Sequence, residues 1–100
     1  MPVIRFYIEH SLAELPAEYI QHAIDTTVLA MTEQEELHPQ WHEQVSLMLD
    51  YALQKGEEWQ AEIDFFTAVR AILNSETPAL PEQHVYAQAL ADMQKGIEER

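Results

Sequence analysis

The chain has 100 residues, no cysteine, 47% hydrophobic residues and 18 acidic against 5 basic side chains, for a net charge of −13. A chain of that length supports one domain with a core of its own, its hydrophobic share is too high for a charge-dominated disordered segment, and without cysteine it has neither a disulfide framework nor a thiolate metal site. The charge repels phosphate backbones and anionic lipids, so neither direct nucleic-acid binding nor membrane binding is expected, and a basic protein partner is the one such a field steers inward.

In chain order, residues 1–10 come first, with Val3, Ile4, Phe6, Tyr7 and Ile8 favouring extended backbone while Pro2 and the want of a pairing strand oppose a sheet. An extended N-terminal arm is expected, or a short edge strand pairing with another copy of the chain. No basic leader with a long apolar stretch and small-residue cleavage site opens the sequence, so the expected compartment is cytoplasmic. The longest run without Asp, Glu, Lys or Arg, residues 83–91, is far shorter than the roughly 20 apolar residues of a membrane helix. Ser11-Leu12-Ala13-Glu14 has capping-box spacing and, with Pro16 so close, predicts a short turn before the first helix.

Pro16, Pro39 and Pro81 each precede a helical pattern, and proline suits the first helical position because its missing N–H has no intrahelical acceptor there. Helices are predicted over about 16–35, 39–55, 57–73 and 81–95. Ile20, Ile24, Val28 and Met31 form the apolar stripe of the first; Trp41, Val45, Met48, Ala52 and Leu53 that of the second; Val85, Ala89, Leu90, Met93 and Ile97 that of the fourth. In the third, Trp59, Ile63, Phe65, Phe66, Ala68, Val69, Ile72 and Leu73 cover an arc wide enough to require neighbours on two sides, which makes it central. Asn74-Ser75-Glu76-Thr77-Pro78 ends it in a loop.

The only two glycines close identical tripeptides, Gln54-Lys55-Gly56 and Gln94-Lys95-Gly96, 40 positions apart. Each has the form of a helix stop, with lysine at the negative end of the helix dipole and glycine free to take the left-handed conformation beyond it. The stretch from Val45 to Leu73 resembles one tetratricopeptide repeat: with Gly56 at the family's turn glycine, Ala61, Phe65 and Ala68 fall on its small, aromatic and small second-helix positions. The first helix departs from that pattern, with Ala52 at the aromatic position, Tyr51 one residue early and Leu49 where a small residue is usual; Leu73 stands at the terminal proline, with Pro78 five residues on. Residues 85–96 then read as half a second unit. The resemblance implies an all-α fold, a four-helix antiparallel bundle or a short array of helical hairpins, and a protein-binding role.

Sites for chemistry are sparse. His38 and His42, four apart, could ligate a divalent metal with Glu35, Glu36 or Glu43, but no His-Glu-x-x-His pattern follows, and solvated histidines are the expectation. His10, His22 and His84 are scattered, and Glu57, Glu58, Glu62 and Asp64 read as a solvated face. No glycine-rich phosphate loop or nucleophile motif is present, so no catalytic residue and no cofactor is expected. Arg70, the only basic residue between Lys55 and Lys95, is expected to pair with a carboxylate of another helix or to line a partner groove with Trp59, Tyr51, Tyr86 and Phe66. The leading functional expectation is a non-enzymatic interaction module that holds a partner peptide or helix, or a second copy, against the third helix. The alternatives are an acidic decoy of a basic protein's nucleic-acid site and a small metal-dependent enzyme built on His38 and His42.

Overall fold

A computed structural model of the protein describes residues 15–99, and the N-terminal arm expected over residues 1–10 lies outside them. The described residues are all-α: α1 (Ala17–Met31), α2 (His38–Lys55), α3 (Gln60–Leu73) and α4 (Ala87–Glu98), with 3-10 turns at Glu35–Leu37 and Gly56–Trp59. Pro16 caps α1, and Pro39 sits in the first turn of α2. The expected first helix reached residue 35, but α1 stops at Met31, where the Thr32 hydroxyl turns back onto the Val28 carbonyl and the Thr32 and Gln34 amides close on Leu29.

Successive helices α1, α2 and α3 pack as antiparallel neighbours. Trp41 of α2 donates its indole N–H to Thr27 of α1 at 2.8 Å, and His38 at the start of α2 meets Leu73 at the end of α3. As its apolar arc requires, α3 is central, with Phe65, Phe66, Ala68, Val69, Ile72 and Leu73 all buried. In α2 the buried stripe is Trp41, Val45, Leu49 and Ala52, so the expected Leu53 gives way to Leu49 and stands 55% exposed.

The fourth helix begins later than its proline indicates and runs the other way from a simple up-and-down bundle. Residues 81–86 form turns, with His84 N–H on Pro81 and Ala87 N–H on His84, and α4 starts only at Ala87. The His84 imidazole accepts the Tyr86 N–H at 3.1 Å, a local bond that competes with helix continuation. Val85, expected on the apolar stripe, is therefore outside the helix and 62% exposed. Residues 74–86 run back along the molecule: Pro78 meets Gln94 in the last turns of α4, while His84 meets Asp64 near the start of α3. Thirteen residues reach about 40 Å when extended, against about 21 Å for the length of α3, so the return is easily spanned. It leaves α4 parallel to α1: Leu15 bonds Tyr86 at one end and Gly96 touches Val28 at the other.

The glycines divide the work differently from their matching tripeptides. Gly56 ends α2 at φ 81°, ψ −149°, a region essentially reserved for glycine. Gly96 is no stop: it lies inside α4, and a Cβ there would sit 2.9 Å from Val28 Cγ2. Its missing side chain is what lets α1 and α4 approach. The residue that takes the left-handed position after a helix is Ser75, at φ 66°. Ser75 N–H bonds Ile72 O at 2.9 Å and Glu76 N–H bonds Ala71 O at 2.8 Å, the paired closure of a Schellman motif.

Two measurements check this reading. In Gly96→Ala, overpacking against the β-branched, buried Val28 costs about 1–3 kcal/mol, against about 1 kcal/mol gained in helix propensity. Urea unfolding is expected to show a net loss in the wild-type background and a gain once Val28→Ala has made room. Ser75→Gly removes the left-handed penalty and is expected to add about 0.5–1 kcal/mol, read as a melting temperature a few degrees higher.

Candidate functional site

Of the residues proposed from sequence to line a partner groove, two belong to the core. Phe66 is buried between Phe65, centroid distance 5.5 Å, and Tyr19, which meets it edge-on at 6.4 Å. Burial pushes the Tyr19 hydroxyl above its ordinary pKa of 10.0. Tyr86 is also buried, with its ring 4.9 Å from that of Phe65. Arg70 is half-buried in the last turn of α3, where the helix dipole favours a cation, and among the described residues it is not in the Lys95–Glu99 ion pair. Tyr51 and Trp59 lie at the other end of the α2–α3 hairpin from Arg70, so the five residues do not share one groove. Most of the apolar arc of α3 is covered within the chain.

The hairpin tip gathers what remains accessible. Tyr51 is 47% exposed, and Trp59 crosses it edge-to-face with centroids 5.3 Å apart and ring planes at 83°. Lys55, one turn after Tyr51, holds its ammonium 5.0 Å from the Tyr51 centroid. Leu47, one turn before Tyr51, is 55% exposed. Gln40 and Gln44 continue this outer stripe of α2 to a recess of about 310 Å³ that they line with Thr26, Leu37 and Trp41. Exposed Glu43, Asp50 and Glu57 flank the stripe in sequence.

His38 and His42 stack with centroids 5.8 Å apart at the foot of α2, facing the end of α3. The Leu73 carbonyl can only accept, so His38 Nε2 carries the hydrogen of their 2.6 Å bond. His42 Nε2 meets Asn74 Oδ1 at 3.1 Å. His38 thus serves the carbonyl end of α3, which lacks intrahelical donors, and His42 the side chain of the residue that follows it. Among the described residues no three histidine or carboxylate groups converge as a metal site would need.

The polar cluster that sequence reasoning missed centres on a buried carboxylate. Glu62, assigned to a solvated face, is 0% exposed and accepts the Tyr86 hydroxyl at 2.6 Å. Asp64 accepts from Gln60 at 2.9 Å and from His84 Nε2 at 3.1 Å, while His84 Nδ1 takes the Tyr86 N–H. That leaves the imidazole in its neutral Nε2–H form with both nitrogens engaged, an arrangement that positions a backbone turn and leaves no ring nitrogen for proton transfer. A signal was present in the sequence: Glu62 precedes Phe65, Phe66 and Val69 by three, four and seven residues, which puts it on the buried stripe of α3.

Comparison with protein families, curated proteins and solved structures finds no match to the chain. Among the described residues no helix is long and apolar enough to cross a membrane. The site must therefore be read from its own geometry. His38→Ala, which strips a donor from the end of α3, is expected to cost about 1 kcal/mol in chemical denaturation; zinc added to the wild type is expected to leave the melting temperature unmoved, since each imidazole already serves an α3-end acceptor.

Proposed function

We propose that the protein is a non-enzymatic, cytoplasmic interaction module that holds a peptide or helix of a basic partner on the outer face of α2, with the α2–α3 pair as a tetratricopeptide-like hairpin. The observation that carries this reading is the exposed stripe of Leu47 and Tyr51, extended by Trp59 at one end and the recess beside Trp41 at the other. Large apolar side chains one turn apart on a helix that already buries a separate face gain nothing in the isolated fold, and a partner's apolar anchors would take them out of water. The acidic residues along the same helix and the net charge of −13 favour a basic partner and oppose a second copy of the chain.

The test is surface-specific capture. Wild-type protein and the Leu47→Ser/Tyr51→Ala variant are used to capture partners from cytosol, with partners identified by mass and both proteins sized by light scattering. The variant is expected to keep the wild-type stability to within about 0.5 kcal/mol at Leu47 and about 1.5 kcal/mol at Tyr51, whose ring also meets Trp59, and to lose the partner. A partner retained equally by the variant would move the interaction off α2, and a wild-type monomer that retains none would remove the module reading.

A further inference from the structure

We propose that Tyr51 and Trp59 form an arginine-reading site: a guanidinium of the partner takes the place that Lys55 now holds over the Tyr51 ring. This rests on the α2 face being the docking surface. The face of an aromatic ring carries the negative part of its quadrupole and attracts a cation lying over it. In this chain the ring is already used in that way, with Lys55 Nζ 5.0 Å from the centroid, and the Trp59 ring stands nearly perpendicular beside it as a second wall. Lys55 is not in the Lys95–Glu99 ion pair, and among the described residues no carboxylate lies within ion-pair distance of its ammonium. Its ammonium is a strongly hydrated point charge, whereas a guanidinium is planar, weakly hydrated and stacks on aromatic faces, so arginine is the better occupant. Asp50 and Glu57, both exposed and next in sequence to Tyr51 and Gly56, add negative charge to this end of the hairpin, which favours a cationic occupant. Leu47, a turn away, offers apolar surface to the aliphatic stem or to a neighbouring leucine of the partner.

The probe is a blocked hexapeptide of alternating arginine and leucine, titrated into the full chain at fixed salt, with the indole N–H signals of Trp59 and Trp41 followed by NMR. The Trp59 signal is expected to move, and that of Trp41, which lines the recess at the far end of the same face, by less. Tyr51→Ala is expected to weaken binding about tenfold and Tyr51→Phe to leave it unchanged, because the ring face and not the hydroxyl is the receptor. Lys55→Gln is expected to tighten binding several-fold, and Lys95→Gln, the same charge change on α4, is expected to do much less. The same peptide with citrulline for arginine is expected to lose the Trp59 shift. Wild-type affinity in Tyr51→Ala, equal effects of the two lysine substitutions, or an unchanged response to the citrulline peptide would each overturn the arginine site in favour of general charge attraction or apolar contact. In that event, capture that still depends on Leu47 would preserve the module reading; a positive arginine result with no captured partner would have the reverse meaning.

Discussion

Tyr86 is the joint on which the described fold turns. Its hydroxyl donates to buried Glu62 of α3 and accepts the Leu15 N–H at the entry to α1, its ring packs on Phe65, and its backbone N–H is held by His84, which is held in turn by Asp64. One residue thus ties the start of α1, the start of α3, the end of the return segment and the start of α4. A buried carboxylate is costly to desolvate unless hydrogen-bonded, so the contact is specific as well as attractive: a different register of residues 74–86 would leave Glu62 without the Tyr86 hydroxyl.

The return segment has a consequence for packing that a plain antiparallel bundle would not have. With α4 parallel to α1, the two helix dipoles lie side by side in the same sense, and their association depends on close van der Waals contact. Gly96 against Val28 supplies it. The same residue type that ends α2 through its backbone freedom thus serves α4 through its lack of volume, and the left-handed closure of α3 falls to Ser75. Backbone hydrogen bonding decides where a helix ends, and residue identity follows only where sterics leave no alternative.

The chain spends its apolar surface unevenly. α3 is enclosed by its neighbours, while α2 buries one face and leaves Leu47 and Tyr51 on another. At the hairpin tip the Tyr51 ring keeps a cation of the same chain, Lys55, over its face. The histidine pair and the Asp64–His84 pair resemble chemical sites in composition, yet their imidazoles are committed to the Leu73 carbonyl, the Asn74 side chain and the Tyr86 N–H, and that is the physical reason the functional reading rests on surface.

Much of the helical architecture was legible in the residues. Period and proline placed α1, α2 and α3 to within a few positions, because a helix buries what recurs every three to four residues and proline is tolerated only at its start; the width of the apolar arc on α3 announced that it would be central. That Tyr51 is exposed and Trp59 half-buried could be told only after folding, since aromatic residues of the same kind, Phe66 and Tyr86, went to the core. What tertiary structure alone decided was direction and pairing: that residues 74–86 return along the molecule, that Pro81 opens a turn, that Gly96 is a contact and Gly56 a stop, and that Glu62 lies inside. Local sequence specifies which backbone conformations are cheap, whereas these outcomes depend on which groups meet across the fold, and two identical tripeptides can therefore hold different places in it.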